Sequence, residues 1–497
     1  MEISEKQEKE KQMLALLSFI LAVFFNYLFY SKPPGISYFV YTVSFLTLFY
    51  WYRNFNLDFK TPFGWYMVIP ALLLSSAFFI HSNPVLTLIN FFAIPVLITW
   101  HTLLVAGCSL ASAYPSLIGI IARKMTTATL TNFCEPYKIL ISYLKKNNSN
   151  SSRENNKKIL IGLLVSAPIL IIVVPLLSSA DMVFSYYLSN FSKITEYINF
   201  SSAILQLILI LTVFLYTFGF LWSFNIKRSI NPSSPRENFD PVIFITVLVM
   251  LNIVYTLFSL IQFSYLYCGQ NNSLPASFTY AQYARKGFFE LVAVTIINLS
   301  IFLAGIRHTR YAGKTTDNLM KVFLSLLIMF TINMLFSAHF KMSLYEDVYG
   351  LTYLRVFVHA FILLLFLLLA VGLVKIWRRD TPLVKLFIAI TITFYTAFNF
   401  INVDRLIVKS NIQLYQKTGH IDIDYLSDLS YDAIPELTEF LRQNPEITEK
   451  SSGPVNNNLT LKYNELQKQS RHWQSFNYSK LKARQALESY FGLTGPS

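Results

Sequence analysis

Charged residues are scarce in this chain of 497 residues. Asp, Glu, Lys and Arg make up only 14% of it, against about 25% in an average soluble domain. So few charges do not suit the surface of a water-soluble protein of this length, and they do not suit a disordered chain of high net charge and low hydrophobicity. The deficit excludes both an ordinary soluble globular protein and a disordered one.

Cysteine is rare as well, and Cys108, Cys134 and Cys268 lie far apart without a CxxC pair. A disulfide framework and a paired-cysteine zinc site are therefore excluded. Common catalytic patterns are also missing, since the chain contains no HExxH, P-loop or GxSxG sequence. We expect no metal and no cofactor, and no enzyme class follows from a motif.

Hydrophobic residues are what the chain has in excess, at 54%, with 44 Phe and 30 Tyr. Because a helix that crosses a bilayer needs about 20 mostly apolar residues, long apolar runs predict membrane spans. The fold class that we predict is an all-α polytopic bundle of eleven spans, which would contact membrane lipid. The predicted spans are approximately 12–30, 36–52, 63–81, 84–107, 158–178, 200–224, 241–267, 289–306, 319–340, 353–377 and 384–402.

The net charge of +14 lies entirely in the hydrophobic part. Residues 1–402 contain 30 Lys and Arg against 16 Asp and Glu, whereas residues 403–497 contain 11 of each. The excess forms short loops rather than a basic domain, so we expect no nucleic acid partner. Cytoplasmic loops are enriched in Lys and Arg, which predicts a cytoplasmic N-terminus and an extracytoplasmic C-terminus. Only six of the 30 basic residues then lie outside: Lys32, Lys193, Arg285, Lys286, Lys341 and Arg355.

Four segments follow from this topology. They are the N-terminal spans (1–107), a basic cytoplasmic loop (108–157), the remaining spans (158–402) and a small helical extracytoplasmic tail (403–497). The first span reads as a retained helix rather than a signal peptide, because no small-residue cleavage site follows it. Region 84–122 could hold two spans, but two spans would place the basic loop that follows outside the cytoplasm. We therefore predict one span followed by an amphipathic stretch.

The tail itself is predicted to be helical. Its apolar spacing predicts one helix that ends at Gly419, a second from Ser430 to Arg442, and a final stretch from about Thr460 to Tyr490. A protein partner for residues 403–497 is possible.

Ionisable side chains are costly at membrane depth and need an explanation. On the predicted topology they gather at the outer ends of the spans, which suggests one outer-face cluster. Its members are Asp181, Arg285, Lys286, Glu290, His339, Glu346, Asp347, Arg355, His359, Asp404 and Arg405. The mid-span residues Asn298, Asn333 and Asn399 are expected to make interhelical hydrogen bonds.

Local spacing brings some of these residues to one helix face. Tyr283, Gly287 and Glu290 are spaced i, i+4 and i+7, and Arg355 and His359 are i, i+4 neighbours. An unpaired carboxylate just inside a span would cost several kcal/mol. We therefore expect Glu290 to form an ion pair, with Arg355 as its partner.

Four stretches resemble a known family: SSADMVFSYYL, YAQYARKGFFELVAV, YGLTYLRVFVHAFIL and NVDRLIVKSNIQLYQKTGHIDIDYLSDLSYDAIPEL. They are similar to the bacterial integral-membrane family called domain of unknown function 4173, and to its relative 4153, from about Lys158 to the tail. The resemblance implies a multi-pass protein of the bacterial cytoplasmic membrane, and it assigns no catalytic residue. The residues that carry it are Asp181, Tyr283, Arg285, Gly287, Glu290, Leu354, Arg355, Asn402, Asp404 and Asn411.

Three functions stay open at this point. The chain could bind, move or sense a small solute or envelope ligand, it could be an enzyme acting on a lipid-linked envelope substrate, or it could be a scaffold that recruits a partner through its tail. The cluster could also be purely structural ion pairing. The candidate ligand-binding or ion-pair residues are Asp181, Tyr283, Arg285, Glu290, Arg355, His359, Asn402 and Asp404. His339 and His359 are suitable zinc ligands by type, but no spacing supports a metal site.

Overall fold

The computed structural model describes most of the chain, and the statements that follow concern those residues. The described residues are 2–53, 57–59, 61–107, 117–133, 135–138, 173, 177, 180–184, 200–225, 239–266, 288–308, 313–450, 454–468 and 472–492. They are almost entirely helical and contain no β-strand. The predicted all-α class is confirmed.

The helices divide between two compact units. Unit 1 comprises residues 1–79, 90–231 and 471–476, and unit 2 comprises residues 80–89, 232–470 and 477–497. This division differs from the four segments predicted above, which stay a prediction. The helices of unit 1 are α1 (Glu2–Phe29), α2 (Ile36–Tyr52), α3 (Pro62–Tyr66), α4 (Val68–Ile80), most of α5 (Pro84–Val105), α6 (Leu117–Met125), α7 (Thr127–Leu130) and α8 (Phe200–Trp222).

Unit 1 is built on the pairing of α1 with α8. Their apolar faces share a core that includes Leu14, Phe49, Phe218 and Leu221. A polar contact fixes the pair, because Asn26 donates from Nδ2 to Oε1 of Gln206 over 3.0 Å. An amide pair of this kind satisfies polar groups that lipid could not.

Unit 2 contains the longest helix, α11, which packs against three neighbours. Its core includes Leu248, Phe302, Leu327 and Leu335. The helices of unit 2 that precede the tail are α9 (Pro241–Leu266), α10 (Phe288–His308), α11 (Lys314–Tyr349), α12 (Tyr353–Trp377) and α13 (Leu383–Asn399).

Large apolar side chains cover the outside of unit 2 as well as its interior. On α9, Val242 is 67% exposed and Ile261 is 64% exposed. Such a surface is unfavourable in water and suits contact with lipid chains. Several apolar helices of this kind indicate a membrane protein.

Eight candidate spans in the described residues are long and apolar enough to cross a membrane. Each consists of one helix or of consecutive helices such as α3 and α4. A ninth span is possible, since α13 and the following helix form a pair bent by 64°. Of the eleven predicted spans, nine coincide with these, and 36–52 coincides with the 17-residue α2. All of 158–178 except residues 173 and 177 lies outside the described residues. The count of eleven stays a prediction, as does the orientation. After α5, the described chain forms only the short α6 and α7 before residue 131.

The predicted interhelical hydrogen bonds are found for Asn298 and Asn333. Asn298 accepts from the Tyr255 hydroxyl of α9 over 2.7 Å and donates to the Thr331 hydroxyl of α11 over 2.9 Å. Asn333 donates to the Ser259 hydroxyl of α9 over 3.3 Å. Asn399 donates to the carbonyl of Tyr395 in its own helix, over 2.9 Å.

The tail is helical, as predicted, but its final part is not the single helix that the sequence predicted. Helix α14 (Val403–Thr418) stops at Gly419, whose φ of 73° is left-handed and suits glycine. The final stretch, expected as one helix, is broken around Trp473 because Asn477 caps a new helix by accepting from the Lys480 N–H. The tail helices are α14 (Val403–Thr418), α15 (Ile423–Asp428), α16 (Ile434–Gln443), α17 (Pro445–Lys450), α18 (Pro454–Lys468) and α19 (Tyr478–Tyr490).

Candidate functional site

Two histidines and a glutamate form a hydrogen-bonded chain between α11 and α12. The Nδ1 atoms of His339 and His359 lie 2.9 Å apart. The other ring nitrogen of His359, Nε2, lies 2.8 Å from Oε1 of Glu346. His359 therefore uses both ring nitrogens, and the three residues form one connected set, which we call the histidine relay.

The histidine relay adjoins an apolar cavity of about 530 Å³. Four helices of unit 2 form its walls, and we call it the apolar groove. Among the described residues that line it, the two imidazoles are the only polar side chains. The lining residues are Leu335, Phe336, His339, Val356, His359, Ala360, Ile362, Leu363, Phe366, Phe394, Ala397, Phe398, Ile401 and Leu406.

The turn between α11 and α12 holds the two histidines opposite each other. Gly350 has a φ of 72°, and a Cβ atom there would collide with Oδ1 of Asn411. Asn411 donates from Nδ2 to the carbonyl of Leu351 over 2.8 Å, so α14 clamps the turn. A side chain at residue 350 would separate the turn from α14.

Arg355 completes this turn from the other side. Its guanidinium donates to the carbonyls of Tyr349, over 3.0 Å, and Gly350, and it lies over the Tyr345 ring at 4.6 Å. These carbonyls end α11 without helical partners, so a cation there is favourable. Arg355 thus acts as a cap of α11.

The predicted ion pair between Glu290 and Arg355 is not formed in the described part of the chain. Glu290 is exposed on α10 and interacts electrostatically with Lys341 of α11. The prediction failed because Arg355 points along its own turn, where two carbonyl oxygens already satisfy its charge.

A second polar set joins the tail to the ends of the spans in unit 2. Asp404, 1% exposed, accepts from Asn83 Nδ2 over 2.8 Å, from the Ser430 N–H over 2.9 Å, and from the Tyr353 hydroxyl. Its oxygens are thus satisfied by three different segments of the chain. A buried carboxylate is stable only with such partners.

Asp432 lies beside it and binds the segment between α4 and α5. It accepts from the Ser82 N–H over 2.6 Å and the Ser82 hydroxyl over 2.8 Å, and it lies 3.2 Å from Nδ1 of His81. Asn402 donates to it from Nδ2 over 3.4 Å. Burial alone would raise the pKa of Asp432, but the hydrogen bonds from His81 and Ser82 outweigh it and hold the pKa below its usual value.

We call Asp404, Asp432 and these hydrogen-bond partners the anchor cluster. Because both carboxylates are buried and satisfied by the protein itself, this set is suited to holding the tail in place.

The predicted site residues therefore fall in several places. Arg355 and His359 lie at the α11–α12 turn, and Asn402 and Asp404 belong to the anchor cluster. Asp181, in unit 1, is exposed and accepts from the N–H groups of Val183 and Phe184. Tyr283 and Arg285 lie outside the described residues.

Sequence reasoning named the three residues of the histidine relay but missed several members of the anchor cluster. Asp432 and Ser430 lie in a stretch that carries the family resemblance, but its apolar spacing predicted only the start of a helix. The partners of these carboxylates in residues 81–83 could have been suspected, because three consecutive polar residues separate two apolar runs there. No group of three or more metal-ligating side chains is found in the part of the chain that the structure describes.

Comparison with known proteins identifies one family. The family model described as Domain of unknown function (DUF4153) matches residues 68–440, about three quarters of the chain. The match begins earlier than the predicted resemblance, which started near Lys158, and it includes both the histidine relay and the anchor cluster. No curated protein and no solved structure matches the chain.

Proposed function

The chain belongs to the DUF4153 family, whose description names no activity, and we propose from the geometry of unit 2 that it binds an amphiphilic ligand of the membrane. The hydrocarbon chain of the ligand lies in the apolar groove, and its polar end meets the histidine relay. The observation that carries the proposal is the pair of imidazoles on an otherwise apolar cavity wall. Pockets that bind small molecules combine apolar walls with a few polar groups in this way.

The length of the groove fits one leaflet. Its lining residues on α12 run from Val356 to Phe366, which is about 15 Å at the helical rise per residue. This equals about half of the 30 Å hydrocarbon thickness of a bilayer. A single lipid chain entering from one leaflet would match this length.

The depth of the histidine relay supports the same reading. Helix α11 has 36 residues and is therefore about 54 Å long, more than a bilayer requires. Its apolar part ends near Phe340, and Lys341, Glu346 and Asp347 follow. His339 thus stands at the boundary where the polar group of an amphiphile would lie.

The test compares two tryptophan variants on α13. Ala397 is exposed and lines the apolar groove, so Ala397→Trp should fill it. Ala389→Trp, two turns earlier on the same helix and outside the lining, is the matched control. We expect native mass spectrometry of the purified protein to show a retained amphiphile that Ala397→Trp removes and Ala389→Trp keeps.

Equal lipid retention in both variants, or none in the parent protein, would contradict the proposal. Thermal unfolding of each variant shows whether a loss of ligand reflects the groove or the fold.

A second candidate function is catalysis on the same ligand. The observation that favours it is the continuous hydrogen-bond chain from Glu346 through His359 to His339. A carboxylate that orients one imidazole against a second group is an arrangement used by general bases. If the relay is catalytic, His339→Leu should abolish turnover of a bound amphiphile while native mass spectrometry still detects the ligand.

A further inference from the structure

We propose that the histidine relay presents a hydrogen-bond acceptor to the apolar groove, so that the ligand is an amphiphile whose polar end is a hydroxyl group. This inference rests on the proposed function and specifies the class of its ligand. It depends on where the protons of the two imidazoles lie, which the hydrogen-bond partners determine.

The carboxylate of Glu346 fixes the first proton. An ionised carboxylate has only acceptor atoms, and Oε1 lies 2.8 Å from Nε2 of His359. The hydrogen in this contact must therefore belong to His359 Nε2. In the neutral imidazole the other nitrogen, Nδ1, then has a lone pair and no hydrogen.

The second proton follows from the first. The Nδ1 atoms of His359 and His339 lie 2.9 Å apart, a normal length for a hydrogen bond to nitrogen. Because Nδ1 of a neutral His359 can only accept, Nδ1 of His339 must donate. His339 then has its single hydrogen on Nδ1, and its Nε2 atom is a bare acceptor.

His339 is the member of the relay that a ligand can reach. It is exposed and lines the apolar groove, whereas the side chains of His359 and Glu346 are only 21% and 17% exposed. The nitrogen that His339 has left for a ligand is Nε2. A polar acceptor on an apolar wall is costly when unsatisfied, so it favours a ligand that donates a hydrogen bond.

The charge of the relay points in the same direction. Glu346 is negative, Asp347 follows it in the chain, and the nearby guanidinium of Arg355 is already bound to carbonyl oxygens. A carboxylate or phosphate headgroup would add a like charge and would supply no donor at neutral pH. A long-chain alcohol, or a lipid whose headgroup ends in a free hydroxyl, satisfies Nε2 without that repulsion.

The experiment compares two photoreactive probes of equal chain length, one a primary alcohol and the other its methyl ether. The two differ only in the hydroxyl hydrogen, so their ratio isolates the hydrogen bond to His339. In the full-length protein we expect the alcohol to label groove residues at a concentration about threefold to tenfold lower than the ether, since a net hydrogen bond changes affinity by about this factor. Ala397→Trp should suppress labelling by both probes.

Glu346→Gln is the decisive variant. The amide of glutamine can donate to Nε2 of His359, which moves the shared hydrogens and converts Nε2 of His339 into a donor. We expect the preference for the alcohol to vanish or reverse. Asp347→Asn, which removes the same charge one residue away without touching His359, should retain the preference.

The ratio of the two probes is measured within each variant and does not depend on how much protein folds. If Glu346→Gln yields no folded protein, His339→Leu provides the same test, because it removes the acceptor and keeps the groove apolar. Equal labelling by both probes in the parent protein, or an unchanged ratio in the relay variants, would overturn the inference and leave the proposed function standing. Labelling that Ala397→Trp does not suppress would overturn the proposed function itself.

Discussion

Carboxylates in unit 2 serve two different purposes. Asp404 and Asp432 are buried, and the protein itself satisfies them from several sides. Glu346 is bound to a single imidazole and, through it, sets the proton of a second one that borders the apolar groove. The first arrangement holds parts of the chain together, whereas the second leaves one ring nitrogen for something outside the protein.

The pKa of Asp432 predicts a stability that depends on pH. A carboxyl group whose pKa is lower in the folded than in the unfolded protein stabilises the fold above the unfolded pKa, which is about 3.9 for Asp. This contribution is lost as the pH falls through the lower folded pKa. We therefore expect Asp432→Asn to destabilise unit 2 by about 3 kcal/mol near pH 7, and the difference from the parent protein to shrink below about pH 4.

Thermal unfolding in detergent between pH 3 and pH 7 measures this difference. The exposed Asp380, in the turn between α12 and α13, provides the control variant Asp380→Asn. A destabilisation by Asp432→Asn that is constant over the whole pH range, or one that the control variant matches, would contradict the assigned role of Asp432.

The turn between α11 and α12 is the element on which the candidate site depends. Three features fix this turn. They are the positive φ of Gly350, the hydrogen bond from Asn411 to the carbonyl of Leu351, and the hydrogen bonds from Arg355 to the carbonyls at the end of α11. They hold α11 and α12 in the register that brings His339 to His359.

Gly350→Ala should disrupt this element. The substitution costs about 1 kcal/mol or more for the positive φ alone, and the collision with Asn411 adds to it. Gly313→Ala is a matched control, because Gly313 also has a positive φ, 109°, but no described residue lies within 4 Å of an added Cβ. In thermal unfolding, Gly350→Ala should lower the melting temperature more than Gly313→Ala does; an equal effect would show that α14 does not clamp the turn.

The sequence predicted helices far better than it predicted the site. Continuous apolar runs of about 20 residues depend only on local composition, so all ten predicted spans within the described residues coincide with helices. The site depends on which helix ends meet. Arg355 and His359 are i, i+4 neighbours on α12, as predicted, but their side chains have different partners. Arg355 donates to a carbonyl of the α11–α12 turn, whereas His359 contacts Glu346 and His339.

At the scale of the whole molecule, the direction of the chain through the membrane is the main prediction that the fold leaves to experiment. The spans predicted between residues 148 and 457, from 158–178 to 384–402, are odd in number. The two residues should therefore lie on opposite sides of the membrane. Single cysteines at Asn148 and Asn457, in a chain whose Cys108, Cys134 and Cys268 are replaced by serine, should react with an impermeant thiol reagent from opposite faces.

Residue 457 should react in intact cells and residue 148 only after the membrane is permeabilised. Asn457 is exposed on α18, so its cysteine is accessible to the reagent on its own side. If both positions react from the same face, the predicted count of eleven spans is wrong by an odd number.

The anchor cluster has a consequence for the order in which the protein is made. Ser82 and Asp432 are 350 positions apart, and a ribosome synthesises the chain from its N-terminus. His81, Ser82 and Asn83 emerge with the early spans, yet their carboxylate partners do not exist until more than 300 further residues have been added. Closing so long a loop is slow, so the hydrogen bonds between residues 81–83 and the two carboxylates form only after the tail has been synthesised. Assembly of unit 2 is thereby a late event of biosynthesis, completed only after Asp432 has been added to the chain.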